Sequence, residues 1–160
     1  MKIVNVRIDE RLIHGQVAVF WTNTLAANRI MVIDENASKN DIQKMALKMA
    51  CPSGIKLSIF SPERTVERMK ENPYEGENVF IVVKEPKTLI TLAGLGLKFP
   101  VVNVGNMSSK AGSTQVKKTV GVTPDDVKYF RELDAMGTKF TAQMTPTDPV
   151  IDFMPLLKGL

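Results

Sequence analysis

Short apolar runs rich in β-branched residues alternate with amphipathic segments along this chain. Apolar runs of six or seven residues predict buried strands, and they occur at 2–8, 29–34, 55–60, 78–84 and 100–105. The segments between them place apolar side chains at helical spacing and predict helices at 15–26, 40–50, 61–72 and 87–97. A loop rich in glycine, asparagine and serine follows at 105–114.

The C-terminal part of the chain continues this alternation. In the segment 122–137, Thr123 is a suitable N-cap and Pro124 a suitable first helical residue, so this segment predicts a helix. The alternating run 139–145 predicts another strand, and 150–160 predicts a short helix or tail. The chain shows no internal repeat that would indicate a different architecture.

Strands that alternate with helices at this spacing form βαβ units with parallel pairing. Right-handed crossovers then predict an α/β fold, an open, doubly wound, mostly parallel sheet with helices on both faces. A length of 160 residues suits one hydrophobic core, so we expect a single domain over 1–160. Ligands of such sheets bind beyond the carboxyl ends of the strands.

The composition narrows the possible partners. A net charge of +4 favours an acidic protein, a phosphorylated substrate or nucleic acid. Few aromatic residues and scattered cations provide no stacking platform or basic stripe, so we expect no nucleic-acid partner. The single cysteine, Cys51, excludes an internal disulfide and a cysteine-based zinc site. The chain has no signal-peptide pattern and no apolar run near the roughly 20 residues of a membrane span, so we expect a cytoplasmic protein.

The only histidine, His14, lies in the stretch RIDERLIHGQV at the carboxyl end of the first predicted strand. Gly15 and Gln16 follow at the predicted start of a helix, where free N–H groups and the helix dipole favour an anion. We therefore expect the backbone at Gly15 and Gln16 to bind phosphate. The position of His14 beside this anion site makes it the candidate nucleophile.

Three charged neighbours support phosphoryl chemistry. Arg7 and Arg11 supply planar guanidinium groups that match phosphate oxygens. Asp9 can accept a hydrogen bond from one imidazole nitrogen of His14 and so fix the tautomer that attacks. These residues predict a nucleophilic histidine that accepts a phosphoryl group. We assign catalytic roles to His14, Asp9 and Arg11, and phosphate contact to both arginines.

The inferred strand order adds candidates for the walls of the crevice. If the fourth strand lies beside the first, the loop that carries Lys84 and Lys87 forms a second wall. The loop after the fifth strand forms the next wall out. Its candidate residues are Asn103, Gly105 and Asn106. Lys84 and Lys87, together with Arg29, are also candidates for docking an acidic partner protein.

The sequence supports neither a nucleotide cofactor nor a metal ion. GQVAVF lacks the Gly-Lys-Ser/Thr ending of a phosphate-binding P-loop, and no G-x-G-x-x-G follows a predicted strand. A single histidine without neighbouring cysteines leaves only carboxylates as metal ligands, and none has the spacing of a metal site. We therefore expect no cofactor and no metal.

The stretch RIDERLIHGQV closely resembles the phosphorylation-site motif of the IIB component of the mannose/fructose/sorbose family of the bacterial phosphoenolpyruvate-dependent sugar phosphotransferase system. The family form is R-[IV]-D-[DE]-R-L-[IL]-H-G-Q-V, followed by a tryptophan that Trp21 matches. MVIDENAS, NVGNMSS, VTPDDVKYFRELDAMG and FTAQMTPTD resemble further segments of the family. The resemblance therefore covers essentially the whole chain.

The resemblance implies a histidine phosphoryl carrier and hence a phosphotransferase. A phosphorylated IIA protein would donate its phosphoryl group to His14, which would pass it to a sugar entering through the membrane components IIC and IID. The carrier would be cytoplasmic and peripherally associated with that transporter. Because the chain starts directly at the IIB strand, we expect IIA to be a separate polypeptide. The implied fold includes one antiparallel strand, and KFTAQMT (139–145) is the candidate for it.

Two alternatives use the same residues differently. A histidine-dependent enzyme, such as a phosphatase or lyase, would turn over a free small substrate with His14 as acid or base. A non-catalytic anion-binding module would bind polyanions with steep salt dependence and perform no chemistry. A stable phosphoprotein, labile in acid and resistant to alkali, distinguishes the carrier from both.

Overall fold

The strands and helices of the computed structural model, which describes residues 1–160, follow the predicted alternation. The strands are β1 (Lys2–Asp9), β2 (Arg29–Ile33), β3 (Lys56–Phe60), β4 (Asn78–Val83), β5 (Val101–Asn106), β6 (Thr114–Lys117), β7 (Val120–Val122), β8 (Lys139–Ala142) and β9 (Ile151–Asp152). The helices are α1 (Gly15–Leu25), α2 (Glu35–Lys39), α3 (Asp41–Ala50), α4 (Pro62–Lys70), α5 (Pro86–Gly94) and α6 (Pro124–Ala135), with a 3-10 turn at Met154–Leu157. None of the helices has the length and apolar content needed to cross a membrane.

Seven strands form one sheet in the order β3-β2-β4-β1-β5-β8-β9, and β6 and β7 form a separate antiparallel hairpin. Every neighbouring pair in the large sheet is parallel except β8 with β9. The predicted α/β fold with a mostly parallel sheet is therefore confirmed. β4 neighbours β1 as predicted, but β5 lies directly on the other side of β1 rather than beyond β4. The ends of β4 and β5 therefore flank the end of β1.

The antiparallel strand is β9, and the assignment of 139–145 to that role is wrong. β8, which occupies the first part of this segment, pairs in parallel with β5. The helix α6 carries the chain back along the sheet before β8, as a parallel neighbour requires. Only the loop 143–150 connects β8 to β9, and a short connection of this kind reverses the chain direction.

The helices cover the two faces of the sheet because the crossovers run in opposite directions. The chain steps from β1 to β2 and on to β3 towards one edge, and later steps towards the other edge. One hydrophobic cluster contains Trp21 of α1 and Leu47 of α3 and packs against Phe80 of β4. The cluster on the other face contains Leu89 of α5 and Phe130 of α6. The carboxyl end of β1 lies at the point where these directions diverge, which is where such sheets bind ligands.

Four of the six helices begin with a side-chain cap, and α1 does not. Asp34, Asn40, Ser61 and Thr123 each accept a hydrogen bond from a backbone N–H in the first turn of α2, α3, α4 and α6. His14 occupies the corresponding position before α1 but makes no such bond. The N–H groups at the start of α1 therefore remain free for an external acceptor.

An ion-pair cluster connects β2, β3 and β4 at the amino-terminal edge of the sheet. Glu77 accepts hydrogen bonds from Arg29 at 2.7 Å and from Lys56 at 2.7 Å. The Arg29 guanidinium also lies over the Tyr74 ring, 3.9 Å from its centroid. The hydrogen bonds from Arg29 and then Lys56 lower the pKa of Glu77 from 4.5 to about 2. Arg29 is thus engaged at the edge opposite His14, so the structure does not support its predicted role in docking a partner.

We expect Glu77→Gln to reduce stability at neutral pH and to remove part of the acid sensitivity of the protein. Because the pKa of Glu77 is lower in the folded state, its stabilisation is complete above about pH 4.5 and is lost as the pH falls towards about 2. Urea unfolding at about pH 6 and about pH 3 measures the difference between the variants. Glu75→Gln is the matched control, since Glu75 is exposed and makes no ion pair. An equal loss of stability at both pH values would contradict the assignment.

Candidate functional site

His14 is an exposed residue held at the end of a buried turn. β1 ends at Asp9, and α1 begins directly after His14. Leu12 and Ile13 of the intervening turn are buried in the cluster that contains Trp21. Leu12 adopts a positive φ of 63°, which a residue other than glycine holds only when packing favours it. The buried pair anchors the turn and leaves the imidazole of His14 in solvent.

The start of α1 is suited to an anion beside His14. The first helical hydrogen bond runs from the N–H of Ala18 to the carbonyl of His14, so the N–H groups of Gly15, Gln16 and Val17 have no acceptor within the helix. No acidic side chain lies in the first turn to compete for them. Gly15 has a φ of +28°, which a side chain would strain. The predicted places of Gly15 and Gln16 at this helix start agree with the structure.

Asp9 is buried and accepts hydrogen bonds from two arginines. Its Oδ1 accepts from the backbone N–H and from Nε of Arg11, both at 3.0 Å. Its Oδ2 accepts from Nη2 of Arg11 at 3.0 Å and from Nη2 of Arg7 at 3.2 Å. The fork of Arg11 therefore binds both carboxylate oxygens, an arrangement that fixes its direction as well as its distance.

The predicted hydrogen bond from His14 to Asp9 is absent. Both oxygens of Asp9 are taken by arginine, and the His14 imidazole makes no hydrogen bond within the chain. The cause is the burial of Arg7, because a buried cation needs an anion at contact distance. Asp9 therefore orients Arg11 and compensates Arg7 instead of fixing the tautomer of His14.

Arg7 lies beneath the site rather than in it. Its side chain is 2% exposed, and its guanidinium donates to the carbonyls of Gln143 and Met144, each at 2.9 Å. It also lies over the Trp21 ring, 5.1 Å from the centroid. Burial lowers the pKa of Arg7, and the Asp9 carboxylate acts in the opposite direction. This position does not support the prediction that Arg7 contacts phosphate.

Arg11 is the cation that remains available at the surface. Its side chain is 30% exposed, and Asp9 engages its Nε and Nη2. Its Nη1 has no partner in the chain, so two N–H groups of a fixed guanidinium are free. The predicted role of Arg11 as a phosphate contact therefore remains compatible with its geometry.

Glu10 forms hydrogen bonds and an ion pair that connect the loop after β5 to the turn that carries His14. The sequence did not predict these contacts. Its Oε2 accepts from the backbone N–H of Ser108 at 2.7 Å, and its Oε1 pairs with Lys110 at 3.0 Å. Its own backbone N–H donates to the carbonyl of Asn106 at 3.0 Å. This loop is thereby held against the end of β1.

The predicted crevice walls divide into three groups. Asn106 of β5 lies opposite Asp9 of β1. Lys84 directly follows Val83, the residue of β4 that lies opposite Ile8. Asn106 and Lys84 therefore flank the end of β1. Asn103 and Gly105 are buried on β5, beneath the surface. Lys87 lines a different cavity of about 360 Å³ beyond the ends of β2 to β4, whose walls are mostly polar and charged residues. Its predicted role as a wall beside His14 is not supported.

The space beneath His14 is too small for a substrate. The cavity bounded by Arg7, Asp9 and His14 on one side and Trp21 on the other has a volume of about 10 Å³. Small-molecule sites usually have volumes of several hundred Å³. A reacting group must therefore meet His14 at the surface, which favours a protein or a transporter as the other reactant over a free small substrate.

Comparison with known proteins assigns this chain to one family. The family model for the sorbose subfamily IIB component of the PTS system matches residues 3–159. The chain is 36% identical over 154 residues to the sorbose-specific EIIB component of Lacticaseibacillus casei, which covers 96% of this chain and 94% of that protein. It is 31% identical over 160 residues to the fructose-specific EIIB component of Bacillus subtilis, covering 100% and 98%. The IIBSor domain of the Klebsiella pneumoniae sorbose permease has a TM-score of 0.91 at 31% identity, covering 98% of this chain and 96% of that one.

We expect Gly105→Ala to destabilise the protein through Arg7. A Cβ atom at Gly105 would lie 2.1 to 2.3 Å from three atoms of the buried Arg7 guanidinium, so the guanidinium must leave its partners. Overpacking of this kind costs about 1–3 kcal/mol, measured by urea unfolding. Gly94→Ala is the control, because a Cβ atom there meets no atom within 4 Å. Equal stability of the two variants would show that Arg7 is not confined by Gly105.

Proposed function

The chain belongs to the sorbose subfamily of IIB components of the sugar phosphotransferase system and is a phosphoryl carrier, and we propose that its carrier residue is His14. The observation that supports this assignment most directly is the position of the only imidazole. It is exposed, follows a buried turn and precedes an uncapped helix beside the fixed guanidinium of Arg11.

The transfer from a phosphorylated IIA protein is an exchange between two imidazoles. The lone pair of an unprotonated ring nitrogen of His14 forms the new N–P bond as the N–P bond on the IIA histidine breaks. The electron pair of the broken bond returns to the IIA imidazole, which takes up a proton. The proton on the second nitrogen of His14 is released as its ring becomes phosphorylated. No cofactor enters this step.

The second transfer places the phosphoryl group on the sugar. A sugar hydroxyl oxygen forms the O–P bond while the N–P bond at His14 breaks, and the electron pair returns to the imidazole. The hydroxyl proton ends on that imidazole, which is thereby restored to its neutral form. His14 meets both reactants from the surface, because no cavity beneath it encloses either of them.

The chain stabilises the transferred group by position and charge. In the transition state of phosphoryl transfer, negative charge lies on three equatorial oxygens between the attacking and leaving atoms. The free N–H groups of Gly15 and Gln16 and the free Nη1 of Arg11 are the donors for these oxygens. Asp9 fixes Arg11 before the reactant arrives, so little reorganisation is needed during transfer.

The partners follow from this chemistry. We propose that a phosphorylated IIA protein, the membrane components IIC and IID and the sugar meet the surface around His14. The carrier is then cytoplasmic and attaches to the membrane only through the transporter. A net charge of +4 suits an acidic IIA surface, and exposed Lys87 and half-buried Lys84 are candidate contacts for it. We expect no nucleic-acid partner, since one exposed arginine at the site does not form a basic stripe.

We expect His14→Ala to accept no phosphoryl group. The measurement is radiolabel incorporation from phosphoenolpyruvate through the general carriers and a cognate IIA protein. In the unsubstituted protein the label should be labile in acid and resistant to alkali. His14→Ala should fold normally, because the imidazole is exposed and makes no hydrogen bond. Normal labelling of the folded variant would refute the assignment of His14.

We expect Arg11→Ala to slow phosphoryl acceptance by about 10²-fold, the usual effect of removing one charged donor from a developing oxyanion. The measurement is the single-turnover rate of labelling by phosphorylated IIA. Arg64→Ala is the control, since Arg64 pairs only with Glu67 on the surface of α4. A rate for Arg11→Ala equal to that of the control would remove Arg11 from the mechanism.

A further inference from the structure

Large apolar side chains that lie within helices and are exposed to solvent occur only on α1 and α3. Both helices cover the same face of the sheet, since Trp21 of α1 and Leu47 of α3 belong to one hydrophobic cluster. The other four helices carry no exposed side chain of this kind. The surface formed by the exposed apolar residues of the two helices is termed the α1/α3 surface, and its members are Val19, Phe20, Ile42, Met45 and Met49.

The helix α1 also lacks charge. None of its eleven residues is charged, whereas surface helices normally place charged side chains on the side that faces solvent. The helix α4 follows that rule, with five charged residues among nine. Depletion of charge together with exposed aromatic and methionine side chains is typical of the core of a protein interface.

The apolar residues of α3 have the spacing of a docking helix. Ile42, Met45 and Met49 follow each other at intervals of three and four residues, so they form one stripe along the helix. Ile42 is 83% exposed and Met49 is 82% exposed. A partner with an apolar groove therefore gains free energy by covering the stripe. The unbranched methionine side chains can adapt to the shape of such a groove.

The α1/α3 surface is continuous with the phosphoryl site. The helix α1 begins directly after His14, and Phe20 lies about 9 Å further along its axis. A typical protein interface covers about 800 Å² on each partner, a patch far broader than that separation. A protein docked on the α1/α3 surface therefore also lies beside His14, as a reactant of His14 must.

The apolar character of the surface distinguishes between the two proteins that His14 meets. A IIA protein must leave before the sugar can react, so its contact is transient, and transient interfaces are small and polar. Lasting interfaces are larger and more apolar, as this surface is. Lys84 and Lys87, the candidate contacts for IIA, follow β4 and do not belong to the α1/α3 surface.

The charges beside the stripe argue against a second copy of the chain. Lys44 and Lys48 lie on α3 next to the apolar residues, and Asp41 is the only acidic residue of that helix. A second copy would bring its own lysines to this rim, and like charges that face each other weaken association. A partner whose groove has an acidic rim complements the lysines.

We propose that the chain docks on the cytoplasmic surface of its membrane components through the α1/α3 surface. The partner surface is an apolar groove that takes the stripe of α3, with acidic groups at its rim that pair with Lys44 and Lys48. This inference rests on the proposed function, which supplies the membrane components. The carrier stays attached through this surface while IIA proteins exchange beside His14.

The test is co-sedimentation of the full chain with membrane vesicles that contain the cognate IIC and IID, and with vesicles that lack both. The variant with Ile42→Ser, Met45→Ser and Met49→Ser should fold normally, because these side chains are exposed. We expect it to bind the vesicles with IIC and IID about tenfold more weakly or worse, as truncation of central interface side chains does. Phe20→Ser should weaken binding in the same direction.

The matched control is the variant with Leu95→Ser, Met136→Ser and Val150→Ser. These residues are also exposed and apolar, with exposed fractions of 42% to 59%, but they lie outside the α1/α3 surface. The control should bind the vesicles as the unsubstituted chain does. Both triple variants should be labelled by soluble phosphorylated IIA at the unsubstituted rate.

Four results would overturn the proposal. The first is unchanged binding of the folded α3 variant to vesicles with IIC and IID. The second is slower labelling of that variant by IIA, which would assign the surface to IIA. Equal binding of the chain to vesicles without IIC and IID would assign it to lipid, and a dimer of the chain that the α3 substitutions dissociate would assign it to a second copy.

The vesicle assay involves no phosphoryl transfer, so it is independent of the role of His14. His14→Ala should bind the vesicles as the unsubstituted chain does, because its imidazole does not belong to the α1/α3 surface. Normal labelling of His14→Ala would refute the carrier assignment and leave the docking result unaffected. Unchanged vesicle binding by the α3 variant would refute the docking surface and leave His14 as the carrier.

Discussion

The buried guanidinium of Arg7 is the constraint on which the site depends. A cation that is 2% exposed needs an anion and several acceptors at contact distance, and four separate parts of the chain meet this need. Asp9 supplies the anion, the segment after β8 supplies two carbonyls, α1 supplies the Trp21 ring, and Gly105 leaves the room that a side chain would occupy. These contacts set the positions of β1, β5, α1 and the segment after β8 relative to each other.

The geometry of the surface around His14 follows from that arrangement. Asp9 compensates the charge of Arg7 and also accepts three hydrogen bonds from Arg11. Because the buried Arg7 holds Asp9 in place, Asp9 in turn fixes the partly exposed guanidinium of Arg11. Leu12 and Ile13 are buried on the same turn, and His14 is consequently presented to solvent at the start of α1. A carrier has to offer one nucleophile to two different partners in turn. An exposed imidazole above a closed core meets this requirement, whereas a deep substrate pocket would not.

Local patterns predicted much of this structure, and long-range pairing accounts for what they missed. Strands β1 to β5 and the large helices follow from periodicity and caps, because these signals lie within each segment. The direction of β8 depends on which strand it meets, and its own four residues carry no such information. The pairing of Asp9 with Arg7 could have been predicted from the sequence. Residues 7 and 9 of a strand face the same side, and a buried arginine attracts a carboxylate there. The hydrogen bonds from Arg7 to the carbonyls of Gln143 and Met144 could not have been predicted, because more than 130 residues separate these carbonyls from Arg7.

The central claim is that the phosphoryl group resides on His14 and is held by the start of α1 and by Arg11. The most direct measurement is the ¹⁵N NMR spectrum of the full chain before and after phosphorylation by IIA, including the imidazole and guanidinium nitrogens. The account predicts one phosphorylated ring nitrogen on His14, with the largest other changes at the amides of Gly15 and Gln16 and at the guanidinium of Arg11. Unchanged His14 ring nitrogens in a phosphorylated chain would contradict it.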